Sequence, residues 1–189
     1  MSKEFEFVGG ECHRALLDHF VGDGYDSRVY KNGDMVKRVY VGSGPKEFSP
    51  PGARTLSLYW EITNKAHEMF KDKPLVVNFP FSNEQYDLKF NPFIRMYRCL
   101  DCGYIEADSP YIPGHNLSVI SGRFDQRELR VVLKNLSHEL EDRFEVRGIN
   151  LESVNLKSPE HRLLIVTDMC SSVAELKRNW WQLLPSTLK

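Results

Sequence analysis

Asp168 and Asn155, thirteen residues apart, offer a carboxylate and an amide oxygen, both hard ligands of the kind that hold magnesium. Five residues before Asn155 stands Asn150, and Glu152 lies between them. An amide hydrogen-bonds but is not basic, so Asn150 can orient a hydroxyl without deprotonating it. Glu152 either repels a phosphate or substitutes as a base. Far earlier in the chain, Gly22-Asp-Gly24 and Ser27 make a small-residue turn. Without Cβ atoms in the way, backbone amides there can approach phosphate oxygens. Lys37, thirteen residues after Gly24, adds a cation on the next apolar run. Glu61 is the candidate acid to orient that lysine, with Glu68 as second choice. Each part also has an ordinary reading, because glycine turns, strand lysines and helical acids are common without any ligand.

Several elements must position these groups. Residues 11–20 read as a short helix, and Arg28–Lys31 and Met35–Tyr40 as strands joined at Asn32-Gly33, a strong hairpin signal. Residues 41–53 read as a loop; its Gly42-Ser-Gly44-Pro-Lys46 lacks the ending of a P-loop. Leu58, Ile62, Ala66 and Met69 predict a helix up to Phe70, and residues 75–112 read as β-rich, with strands at 75–77, 93–97 and 103–106. Pro113-Gly114 breaks the chain. Leu129, Val132, Leu133, Leu136 and Leu140 mark an amphipathic helix, with Asp125 and Glu128 as a capping box. Leu163–Val166 is an apolar strand, and Ser172 with Glu175 caps a last helix carrying Val173, Leu176, Trp180 and Leu183.

The 189 residues are enough for one domain with a real core. Hydrophobic and charged fractions of 41% and 27% suit a globular protein, and a net charge of -1 argues against nucleic-acid binding through bulk charge. No apolar run is long enough to span a bilayer, and the acidic start does not fit a signal peptide, so a cytoplasmic location is expected. Of the four cysteines, only Cys99-Leu-Asp-Cys102 is closely spaced, with no second pair to complete a zinc site. Cys12-His13 is the one source of further ligands considered. Reduced thiols are the expectation.

The order Gly22-Asp-Gly24, Val36-Lys37, then Asn150 to Asn155, then Thr167-Asp168-Met169-Cys170 resembles the protein-kinase-like superfamily across roughly residues 20–175. Within it, Val36–Tyr40, Asp101-Cys-Gly-Tyr104, the Leu133/Leu136/Leu140 helix and Val166-Thr-Asp168 are similar to small bacterial proteins of the YrbL (PhoP regulatory network protein) type. The resemblance implies an α+β, two-lobed fold in a single domain. Its β-rich N-lobe with one helix would span about 20–113, and its minimal helical C-lobe about 114–189. It implies Mg-ATP as ligand. Gly22, Gly24 and Ser27 would cover the phosphates, and Lys37 would be positioned by Glu61. Glu106 to Pro113 would form the adenine-side hinge, and Asn155 and Asp168 would hold the metal.

Asn150 then occupies the place of the kinase base aspartate, and Glu152 that of a phosphate-contacting lysine. The phenylalanine and glycine of the magnesium motif are replaced by Met169 and Cys170. Residues 171–189 leave space for a single helix instead of a protein-substrate platform, with Trp181 free to cover a partner or the lobe junction and Trp180 filling the core. Two readings follow. One is a weak or atypical phosphotransferase. The other is a pseudokinase acting as a regulatory module. A third, an interaction protein without nucleotide, would work through the tryptophans and the last helix.

Overall fold

A computed structural model describes Cys12, Leu16 and residues 19–23, 27–40, 53–120 and 125–169. The expected helix over 11–20, Gly24, the loop expected over 41–53 (except Ala53, which begins a helix), Cys170 and the last helix with Trp180 and Trp181 fall largely or wholly outside these residues. The described chain is a sheet-rich α+β structure with two long helices.

Two five-stranded sheets organise two compact units. The first unit contains the described residues up to Glu61 together with Pro92–Tyr111. Its strands are β1 (Phe20–Asp23), β2 (Ser27–Asn32), β3 (Met35–Tyr40), β6 (Arg95–Arg98) and β7 (Ile105–Pro110), in the antiparallel order β1-β2-β3-β7-β6. The β2–β3 hairpin forms as the sequence predicts, with its loop one residue later, at Gly33-Asp34, because Asn32 pairs with Met35. Gly33 takes a φ of +59°, a conformation that glycine adopts without a Cβ penalty. Strand β7 lies between β3 and β6 and is buried from Ile105 to Ser109. Tyr30, Val39 and Leu16 form one apolar cluster of this unit, and Tyr59 packs edge-on against Phe93.

The second unit contains residues 62–91 and the described residues from Ile112 onward. Its strands are β4 (Leu75–Phe79), β5 (Glu84–Phe90), β8 (His115–Asn116), β9 (Leu156–Ser158) and β10 (Leu163–Val166), in the order β4-β5-β10-β9-β8. Strands β5 and β10 run parallel, while the other neighbours are antiparallel. The hairpin β4–β5 thus groups with the later half of the chain, so the units do not follow a single cut near residue 113. Helix α1 (Ala53–Phe70) has residues in both units, divided at Glu61/Ile62. A short helix α2 (Leu117–Ile120) precedes α3 (Gln126–Phe144), which buries Leu129, Leu133, Leu136, Leu140 and Phe144 on one stripe.

Asp125 caps α3 by accepting from the backbone N–H groups of Arg127 and Glu128. The expected return half of the capping box is absent. Glu128 instead accepts the N–H of Phe81, after the β4 strand, and is buried there. Gly114 serves a close approach: a Cβ on it would meet the Ser158 carbonyl oxygen at 2.7 Å, and its φ is +95°.

Candidate functional site

On the first unit, Lys37 is the buried hub. Cross-strand register makes it so. Lys37 of β3 stands opposite Asp108 of β7, which stands opposite Arg95 of β6, while Tyr97 pairs with Glu106 in the neighbouring row. Side chains two residues apart share a sheet face, so these five groups converge. The Lys37 ammonium donates to the Tyr97 hydroxyl and to Asp108 Oδ1 at 2.9 Å, and lies 3.3 Å from Glu106 Oε2. Tyr97 donates to Glu106 Oε2 at 3.1 Å, and the Arg95 guanidinium bonds Asp108 Oδ2. Lys37 is 2% exposed and Glu106 fully buried, so each charge requires its partner.

Burial on its own would lower the Lys37 pKa. The hydrogen bonds to Tyr97 and Asp108, with the charge of Asp108, outweigh it and hold the ammonium above its ordinary value. Burial also pushes the Tyr97 phenol up to about 12, against the pull of the Lys37 hydrogen bond. Two hydrogen bonds and the ion pair with Glu106 thus engage the ammonium within its own sheet.

Lys37 therefore takes its acids from its own sheet instead of from α1. Glu61 is exposed on that helix. Glu68, the second choice, is exposed and ion-pairs with Lys71 at 2.6 Å. Glu106, expected beside an adenine, directs its side chain into the Lys37 cluster. Gly22 lies in β1 beside a register irregularity, with open space where a Cβ would go, and Ser27 is buried at the start of β2. Sequence reasoning missed Asp108, Tyr97 and Arg95. Their signal was the alternation Glu106-x-Asp108 and Arg95-x-Tyr97 within strands.

On the second unit, the structure brings together Asn150, Glu152, Asn155 and Asp168. The 3-10 turn Ser153–Asn155 leads into β9, and two backbone ties bind its approach to the segment after β10. Thr167 donates both its N–H, at 2.8 Å, and its hydroxyl, at 2.9 Å, to the Asn155 carbonyl oxygen. The Asn150 N–H donates to the Met169 carbonyl oxygen at 2.9 Å. Asp168 sits between these two ties, half-buried like Asn155. The Asn150 side-chain amide donates to Glu152 Oε1 at 3.0 Å, so the two residues in question engage each other.

Helix α3 shapes this loop from beneath. Buried Glu141 accepts from the N–H groups of Gly148 and Ile149, and the Ser137 hydroxyl accepts from the Leu151 N–H while donating to the Leu133 carbonyl oxygen. Both residues lie among the leucines that marked the helix, but nothing in their spacing announced a loop partner.

A further group of donors occurs on the first unit. Single ligand atoms of Cys12, Cys99, Cys102 and Glu106 all lie within 4.8 Å of one another. Glu106 Oε1 accepts from the Cys102 thiol at 3.5 Å.

Among solved structures the chain is similar to WbdD. One crystal structure of WbdD aligns at 12% identity over 80% of this chain and 31% of that one, with a TM-score of 0.38. Another, described as a bifunctional kinase-methyltransferase, aligns at 14% identity over 76% and 29%, with a TM-score of 0.37. WbdD with the kinase inhibitor LY294002 aligns at 14% identity over 89% and 39%, with a TM-score of 0.39. The chain thus spans about a third of the length of these proteins, and similarity of this order carries no statement about activity. No protein-family model matches the sequence, and no curated protein matches it. Among the described residues, no helix is long and apolar enough to cross a membrane.

Proposed function

We propose that this chain is a kinase-like, magnesium-nucleotide-binding module without efficient catalysis, a pseudokinase. The observation that carries the reading is that Thr167, through its N–H and hydroxyl, bonds the Asn155 carbonyl oxygen while the Asn150 N–H bonds that of Met169, so that Asn155 and Asp168 lie on adjoining segments. A carboxylate and an amide oxygen so placed fit magnesium, which coordinates oxygen and keeps several waters while bridging phosphates. The Asn155 side chain makes no hydrogen bond among the described residues, which leaves its oxygen available. In this reading Asp168 and Asn155 hold the metal, and the metal supplies charge neutralisation to the phosphates.

Two observations favour binding over turnover. Asn150 cannot act as a base, and its amide is engaged by Glu152. Lys37 is buried in its sheet, hydrogen-bonded to Tyr97 and Asp108 and ion-paired with Glu106, so its charge is already engaged by acids. Gly22, Gly24 and Ser27 remain the candidate phosphate cover. Trp180 and Trp181 remain the candidate surface for a protein partner.

The test is a thermal shift with ATP, with and without magnesium, on the wild type and on Asp168→Ala. Ligand bound to the native state alone raises stability by mass action, about 2.7 kcal/mol at a hundredfold excess over Kd. A magnesium-dependent rise in Tm, abolished in Asp168→Ala, is expected. No shift at millimolar nucleotide overturns the proposal.

A further inference from the structure

The turn between β6 and β7 has the build of a metal knuckle. Cys99 ends the β6 side and Cys102 lies three residues on, within the C-x2-C spacing of zinc sites. The Cys99 N–H donates to the Tyr104 carbonyl oxygen at 2.8 Å, and the Gly103 N–H donates to the Cys99 carbonyl oxygen at 2.9 Å. Gly103 has a φ of +75° with open space around it, so glycine is needed there for the backbone turn and not for clearance. This geometry folds both thiols to one side.

Two more donors converge on them from distant parts of the chain. Cys12 packs against Cys99 and Tyr97, with Cys102 alongside. Glu106, four residues beyond Cys102 and fully buried, turns Oε1 to the thiols while Tyr97 and Lys37 hold Oε2. All four ligand atoms fall within 4.8 Å of one another. A tetrahedral zinc ion with Zn–S near ~2.3 Å and Zn–O near ~2.1 Å needs separations of about 3.5–3.8 Å, so side-chain adjustment of about 1 Å closes the site.

We propose that Cys12, Cys99, Cys102 and Glu106 hold one structural zinc ion. Three sulfur donors select a thiophilic divalent metal over magnesium. Four anionic ligands leave the site at a formal charge of -2, the charge of an ordinary four-cysteine zinc site, and Lys37 beside Glu106 offsets part of it. Glu106 is then oriented by hydrogen bonds to its second oxygen, the arrangement by which ligands are commonly fixed from behind. The four ligands close the coordination sphere, so the ion staples the β6–β7 turn to the segment carrying Cys12. This site uses neither Asn155 nor Asp168, so its zinc content is read separately from magnesium-nucleotide binding.

The test uses the full chain, purified without a histidine tag and kept reduced. Elemental analysis is expected to find about one zinc per chain, and Cys12→Ser and Cys99→Ser are each expected to cut it at least ~10-fold. Cys170→Ser, at the cysteine outside the described residues, keeps the metal. If a variant does not fold, the wild type still decides. Apoprotein titrated with cobalt is expected to saturate at one equivalent, with thiolate-to-cobalt charge transfer and the intense visible bands of a tetrahedral site. Failure of reduced wild type to bind zinc or cobalt stoichiometrically sinks the assignment. Metal retained in both Cys12→Ser and Cys99→Ser overturns it equally.

Discussion

Lys37 and Asp168 come from one sequence pattern, yet their surroundings assign them different work. Lys37 neutralises Glu106 and Asp108 inside a sheet. Removing one partner of a buried ion cluster leaves uncompensated charge, at a cost of about 3–5 kcal/mol. Asp168 is half-buried in the segment after β10. Lys37→Met is therefore expected to lower stability by about 3 kcal/mol in urea denaturation. If enough folded protein remains, its magnesium-ATP affinity should change little. Asp168→Ala is expected to lose the magnesium-dependent ligand if the proposed function holds. Isothermal titration of both variants separates the two roles. Loss of nucleotide affinity in a well-folded Lys37→Met protein would mean that the lysine leaves its acids for the phosphate.

At the level of elements, what the sequence disclosed was periodic and what it concealed was register. The stripe Leu129–Leu140 and the apolar run Leu163–Val166 appear as α3 and β10, since burial on one face or both leaves a repeating mark. Strand β5 (Glu84–Phe90) carries mostly polar residues and was legible only as part of a β-rich stretch. Cross-strand partners carry no such mark. Lys37 was found by its spacing from Gly24, but Asp108 and Tyr97 became its neighbours through the pairing of β3, β7 and β6. Glu128 was legible as a cap and in fact serves the chain after β4, because the Phe81 N–H needs an acceptor. Pro113-Gly114 looked like a simple chain break. Its glycine is instead required where the backbone crosses Ser158 and Pro159. Gly114→Ala combines a positive φ with a backbone overlap, and is expected to destabilise by about 2–3 kcal/mol, more than a turn glycine alone. Gly33→Ala, where nothing lies within 4 Å, is the comparison and should cost less in the same melt.

For the whole molecule, under the proposed function, the difference between a silent module and a slow phosphotransferase is chemical and centres on Asn150. The backbone there is already tied to Met169, so a new side chain at this position inherits a fixed location. Phosphoryl transfer depends mostly on positioning and electrostatics, and a general base contributes about 10²–10⁴-fold. Asn150→Asp supplies the carboxylate but places it beside Glu152, the present partner of the amide. Two adjacent carboxylates raise each other's pKa and repel phosphate, so the single change is expected to yield little turnover. Asn150→Asp with Glu152→Lys removes the repulsion and adds a cation. If magnesium-ATP binds as proposed and only the base and its surroundings are missing, this double variant should release phosphate from ATP at least ~10-fold faster than the wild type in a coupled assay. A wild type that already turns over at the rate of the double variant would place the chain among the weak phosphotransferases, with Asn150 orienting the acceptor. Binding without any gain would point to Lys37, whose charge is engaged by acids of its own sheet.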